Sequence, residues 1–186
     1  VVQGFANFGA RQSTVLTLGA KYGATSRVEV GLDANAGRTA AVPGLGGVGA
    51  GGAPASIPVL QAKYRVVQTH GGFGAAVGFA NLSWDTTRAG APAGYVTLSQ
   101  TMGEPRLHVG YLHHGVADIG FAGVDAPAGE TTLRADLNHT FRGGNLLSAG
   151  FITRVSPRIY LEGWASATAP RTTETTFTLK LNYLFD

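Results

Sequence analysis

An all-β fold is what this sequence predicts, a closed antiparallel transmembrane β-barrel of about twelve strands, with ten as the alternative count. Three observations predict it. Apolar residues recur at every second position in segment after segment, the period of a strand and not of a helix. Charged residues make up only 13% of the chain, about half the share usual in a soluble domain, although the apolar content is an ordinary 44%. Short turn-forming clusters between the periodic segments alternate with longer connections rich in Gly, Ala and Pro.

The strands are expected near 1–10, 14–23, 27–36, 59–68, 73–82, 95–102, 106–114, 118–126, 131–141, 145–155, 158–167 and 174–185. The pattern is clearest at the end, where Phe177, Leu179, Leu181, Tyr183 and Phe185 oppose Thr176, Thr178, Lys180 and Asn182. Between Thr131 and Phe141, Leu133, Ala135, Leu137, His139 and Phe141 oppose Thr132, Arg134, Asp136, Asn138 and Thr140. Val28, Val30, Leu32 and Ala34 oppose Arg27, Glu29, Asp33 and Asn35, and Leu60, Ala62, Tyr64 and Val66 oppose Gln61, Lys63 and Arg65. The alternation is weakest in the first strand, interrupted by Phe5 and Phe8, and around Ile119 and Phe121. Gly23 to Ser26, Thr69 to Gly72, Gly103 to Pro105, Pro127 to Glu130 and Ser156-Pro157 read as short turns, whereas Gly37 to Pro58 is long and Ser83 to Gly94 of middle length. Short turns on one side and longer loops on the other is the pattern of outer-membrane barrels, whose strand number is even.

Composition narrows the function classes. The 186 residues read as one domain, 1–186. Without cysteine there is no disulfide framework, thiolate metal site or thiol nucleophile. The net charge of +3 comes from Lys and Arg scattered singly, which argues against nucleic-acid binding. No apolar run approaches the ~20 residues of a membrane helix, and Val1 opens no signal-like segment, so the sequence reads as mature or trimmed. Aromatic residues should gather at the two ends of the outward faces: Tyr22, Tyr64, Phe73, Tyr183 and Phe185 at one rim, and Phe79, Tyr111 and Phe141, near Trp84 and Tyr95, at the other.

The run from Thr17 through Tyr22, Gly23 and Arg27 to Leu32 resembles the strand, periplasmic turn, strand unit of bacterial outer-membrane β-barrels, and Val155 to Gly163 is similar to another such unit. Tyr183-Leu184-Phe185, ahead of Asp186, resembles the closing strand that this class presents to its assembly machinery. The resemblance, to small porin-like barrels in particular, covers nearly the whole chain. It implies the outer membrane of a diderm bacterium, with outer-membrane lipid around the barrel.

Catalytic, cofactor and metal sites are not expected. Gly44-Leu45-Gly46-Gly47-Val48-Gly49 fits G-x-G-x-x-G, but no helix follows and chance matches are expected in so glycine-rich a stretch. His113 and His114 point to opposite faces of a strand, and His108 lies about 20 Å from His114 along one face, so no chelating set forms. His139, on the apolar face, is the best candidate for the base of a Ser-His pair such as some barrels of this strand number use as phospholipases, but no serine can be set beside it. The inward charges are the most informative group: Lys21, Arg27, Lys63, Arg65, Arg106, Arg134, Arg154 and Lys180 against Glu29, Asp33, Asp136 and, less securely, Asp118 and Glu162, with His108 on the same lining. That is an excess of at least three positive charges. Small inward residues, Gly74, Ala76, Gly78 and Ala80, suggest open volume or room for a neighbour's side chain. Two functions follow as expectations. In one, the barrel is a pore for passive diffusion of small solutes with a modest preference for anions. In the other, the charges pair and close the lumen, leaving a membrane anchor or a component of a larger assembly with other envelope proteins.

Overall fold

The structure, a computed structural model, describes residues 2–9, 14–35, 57–115, 117–141, 144–169 and 175–185. The glycine-rich motif at 44–49 and most of the long connection containing it lie outside the described residues. The strands are β1 (Val2–Gly9), β2 (Thr14–Gly23), β3 (Val28–Asn35), β4 (Val59–Gln68), β5 (Phe73–Leu82), β6 (Ala93–Thr101), β7 (Arg106–His114), β8 (Ala117–Ala128), β9 (Thr131–Thr140), β10 (Asn145–Ser156), β11 (Ile159–Ala169) and β12 (Thr175–Tyr183). Each pairs antiparallel with its neighbours in sequence, and β1 pairs with both β2 and β12, from Val2 opposite Tyr183 to Gly9 opposite Thr176, so the order returns on itself as a closed barrel. One four-residue helix, α1 (Thr86–Ala89), interrupts the connection between β5 and β6.

Local chemistry explains where the strands stop. Between β2 and β3 the Thr25 hydroxyl accepts from the amides of Arg27 (3.1 Å) and Val28 (3.0 Å), so the strand begins at Val28. Thr69 and Gly72 close the β4–β5 turn, with the Gly72 amide donating to the Thr69 carbonyl at 3.1 Å. Gly103 (φ 71°) and Gly129 (φ 66°) take left-handed conformations that side chains disfavour, at the β6–β7 and β8–β9 turns. β8 runs on through Pro127, which sits next to the hairpin end, where its missing amide costs the ladder little.

Burial is inverted relative to a water-soluble protein. Among the described residues the buried apolar side chains are Val59, Ala89, Ala93, Ile119 and Leu146, whereas Leu133 (52%), Leu147 (51%), Phe177 (56%) and Leu181 (53%) are exposed. The buried polar set is Asn81, Ser99, Ser166, Thr178 and Asn182. Alternation thus places most apolar side chains outward and most polar ones inward. Ala135, Ala149 and Ala165, side by side on β9, β10 and β11, line a shallow trough of about 620 Å³ among the bulky residues.

Three irregularities shift the alternation. The β4–β5 register slips between Arg65 and Val67, leaving Val66 extra, and again between Leu60 and Ala62, opposite Asn81 at φ 59°. In β10, Val155 is extra between Arg154 and Ser156. Such bulges bend and twist a strand while keeping the faces on either side in phase with the partner.

The inward glycines do not leave open space. An added Cβ at Gly78 would run into the Tyr95 ring and the Ala62 carbonyl, one at Gly110 into Phe121, and one at Gly150 into Trp164. Each large residue lies directly opposite its glycine on the neighbouring strand. Large inward side chains are thereby laid flat on the wall. Gly78→Val should destabilise the barrel by about 1–3 kcal/mol, the usual range for overpacking, whereas Gly94→Ala, with nothing within 4 Å of its Cβ, should change stability by less than about 0.5 kcal/mol. Denaturant unfolding of the two variants in one detergent checks this, and equal tolerance would mean that Tyr95 does not lie over Gly78.

Candidate functional site

Among the described residues, the inner wall is the surface on which charged residues from many strands converge. Register places Lys21 on β2 opposite Gly31, and Glu29 on β3 opposite both Gly23 and Lys63. Asp33 faces inward over Gly19, whose missing Cβ leaves room for the carboxylate. Lys63 and Arg65 follow on β4, Arg106 and His108 on β7, Arg134 and Asp136 on β9, Arg154 on β10 and Lys180 on β12. Three sequence expectations are corrected. Arg27 is exposed in the turn ahead of β3, because the Thr25 hydroxyl holds its amide there. Asp118 is on the outer face, 2.8 Å from His113 Nδ1 and accepting from the Tyr111 hydroxyl. Tyr95 is an inward residue lying over Gly78, not a rim aromatic.

Asp125 is an inward carboxylate that the sequence reading missed. It lies on β8 opposite both Arg106 and Arg134, and its Oδ1 is 3.1 Å from Arg134 Nε. The missed signal was its spacing: Ile119, Phe121, Gly123 and Asp125 share the inward face, so β8 turns its largest apolar residues into the barrel. With Arg27 and Asp118 removed and Asp125 added, the described inner wall carries seven Lys and Arg against five Asp and Glu. The surplus is two, smaller than expected from the sequence.

Pairing divides these charges unevenly. Lys180 Nζ lies 3.5 Å from Glu162 Oε1, both side chains largely buried, and Asn182 Nδ2 donates to the same oxygen at 2.7 Å. Gln61 Nε2 donates to Asp33 Oδ2 at 2.5 Å, and Lys21 and Lys180 lie close enough to Asp33 to act on it electrostatically. His108 Nε2 is 2.8 Å from Asp136 Oδ1, a contact made over Gly123 on the strand between them. By contrast the side chains of Lys63 and Arg65 make no hydrogen bond or ion pair with the described residues, and Arg106 Nη2 donates at 3.0 Å to the Ser99 hydroxyl. Arg154 Nε reaches the Ser156 carbonyl at 3.4 Å.

A polar group also lies on the outer face. His139 Nδ1 is 2.7 Å from Asn145 Oδ1, and the His139 ring meets Phe141 edge-on at 5.4 Å. An asparagine could orient the imidazole as a base, but the residue packed against its ring is apolar and offers no nucleophile. Among the described residues no three His, Cys, Asp or Glu side chains converge as metal ligands.

At the mouth, Asn81 ties the β5–β6 connection to the barrel. Its left-handed backbone turns the side chain into a buried position, where Nδ2 donates to the carbonyls of Ala89 (2.9 Å) and Ala91 (2.7 Å). Ala91 in turn packs against Gly115 at the β7–β8 tip.

No protein-family model and no curated protein matches the chain. Solved structures do. A KdgM porin in complex with disordered oligogalacturonate is similar with a TM-score of 0.76 at 8% identity, over 100% of this chain and 99% of that one. The NanC porin is similar with a TM-score of 0.70 at 7% identity, over the whole of both chains. Omp33, an outer membrane protein of Acinetobacter baumannii, gives 0.54 at 9% identity, over 99% of this chain and 96% of that one. At such identities the likeness establishes a porin-like barrel fold and nothing narrower.

Asn81→Ala should loosen the connection without unfolding the barrel, since it removes two hydrogen bonds of about 0.5–1.5 kcal/mol each and leaves a non-glycine residue at φ 59°. Limited proteolysis within 83–92 should quicken, while heat-modifiable gel migration persists. An unchanged cleavage rate would show that Asn81 does not hold this connection.

Proposed function

We propose that this chain is an outer-membrane pore of a diderm bacterium, conducting small solutes by passive diffusion with a modest preference for anions. The observation that carries the reading is the inverted barrel itself, with exposed leucines and aromatics on one face of the strands and lysine, arginine and carboxylates on the other. A wall of exposed apolar side chains suits hydrocarbon, and closure leaves no unpaired strand edge within it. Charges on the inner face then need water or partners. The paired groups have partners; Lys63 and Arg65 have none among the described residues, which favours a hydrated lumen there.

The porin-like fold supports the same reading. That a KdgM porin was solved with oligogalacturonate, an anionic saccharide, makes acidic saccharides reasonable solutes to try on this chain. The competing role, a closed barrel acting as anchor or as part of an envelope assembly, draws on the buried Lys180–Glu162–Asn182 group and its neighbours Asp33 and Lys21.

Planar-bilayer recording decides between them. Under a salt gradient the reversal potential should report anion preference, fading at high salt as screening shortens the reach of fixed charge. Arg65→Glu should lower the preference or invert it. Replacing Arg134 and Asp125 together by Gln and Asn should change it far less, because that pair is already neutral. Cation preference in the unaltered protein would refute the anion reading, and silent bilayers from folded protein would favour the closed barrel.

A further inference from the structure

We infer that the inner wall over β4–β7 holds a binding site for an oxyanion, a carboxylate or phosphate group on a small hydrophilic solute, between Arg65 and Arg106. The inference rests on the pore reading and adds a place and a chemistry to it. Strands β4, β5, β6 and β7 contain no Asp or Glu at all, whereas the inward carboxylates stand on β3, β8, β9 and β11. The inner wall is therefore divided into a mixed-charge sector and a sector that is basic or neutral. Anions passing the barrel meet uncompensated positive charge on one side only.

Within that sector the two arginines stand at different levels of a floor of small residues, Arg65 level with Thr97 and Gly110 and Arg106 level with Thr101, four residues nearer the turns. Arg65 lies opposite Ala76, which lies opposite Thr97; one step nearer the turns, Gly74 lies opposite Ser99, and Ser99 opposite His108. From β4 to β7 is three strand spacings, about 14 Å around the wall, and the four-residue offset adds about 13 Å along the strands. Arg106 shortens this by leaning back over β6, where Nη2 reaches the Ser99 hydroxyl at 3.0 Å. Ser99 is 9% exposed and accepts that bond, so its own O–H remains able to donate to a bound oxygen. A group bound there would meet two guanidinium forks, each able to hold two oxygens of one carboxylate or phosphate, and a hydroxyl donor at its base.

The nearby carboxylates do not occupy these arginines. Asp125 stands beside Arg106 in register but its Oδ1 is engaged by Arg134 at 3.1 Å, and Glu29, at the edge of the sector, faces Lys63 instead of Arg65. Asp136, across Gly123, holds His108 at 2.8 Å.

The test is single-channel current through the full chain with inorganic phosphate, glucuronate or glucose added. Phosphate and glucuronate should cause concentration-dependent interruptions that glucose does not. Arg65→Gln and Arg106→Gln should each raise the blocking concentration roughly tenfold, the scale of one charge-assisted hydrogen bond, and Ser99→Ala should raise it less. Arg158→Gln, which removes one charge from the β10–β11 turn, serves as the net-charge control and should leave block unchanged. Equal block by glucose, or block indifferent to both arginine variants while conductance persists, would overturn the site and leave the pore standing. If folded protein does not conduct, the pore reading fails by itself, and calorimetric titration of the detergent-folded barrel with phosphate decides the site: binding weakened by Arg65→Gln upholds it, and no binding refutes it.

Discussion

The pairing of β1 with β12 is the interaction on which the rest of this structure depends. Each of the other strands could satisfy its backbone with its sequence neighbours in an open sheet, but an open sheet has two bare edges. Joining Val2–Gly9 to Thr175–Tyr183 satisfies both edges at once and gives every strand an inside and an outside. Once the ring is closed, a slip of one residue would turn a whole strand's side chains to the wrong face. The exposed Leu179 and Leu181 beside the inward Lys180 and Asn182 show how strictly that parity is kept at the seam.

Closure also decides how the interior is filled. A closed ring has limited room, so the inward aromatic residues do not reach for the axis; Tyr95, Phe121 and Trp164 lie on Gly78, Gly110 and Gly150 of the adjoining strands. The His108–Asp136 contact crosses Gly123 by the same device. Glycine at these positions is thus a packing partner, and the inner wall stays thin while carrying large side chains. Charge is managed in two ways on that wall. On β8, β9, β11 and β12 it is paired within short range, and on β4 the side chains of Lys63 and Arg65 have no partner among the described residues.

Much of this architecture is legible in the sequence, because a period of two is written directly into segments such as 131–141 and 174–185. The all-β antiparallel class follows from it, and the turn clusters set most strand ends to within a residue or two. What was not legible has physical causes. In β8 the bulky apolar residues Ile119 and Phe121 face inward and Asp118 outward, the reverse of the other strands, so alternation alone places Asp118 on the wrong face and does not single out Asp125. The preference of aromatics for rims points Tyr95 to a rim, whereas its place depends on a glycine in another strand. The bulge at Asn81, and its hold on Ala89 and Ala91, needs a backbone angle that no spacing rule encodes. Pairing within the inner wall was equally hidden, since it depends on which residues stand opposite one another across the ladder.

The central claim is that the apolar faces of these strands point out into lipid and the polar faces in. Spin labels placed one at a time at Leu137 and Asn138, adjacent residues on opposite faces of β9, test it most directly in reconstituted bilayers. The label at 137 should collide readily with oxygen dissolved in the hydrocarbon and poorly with a water-soluble nickel chelate, while the label at 138 should be shielded from lipid. Equal accessibilities, or a lipid signature at 138 and not at 137, would contradict the account.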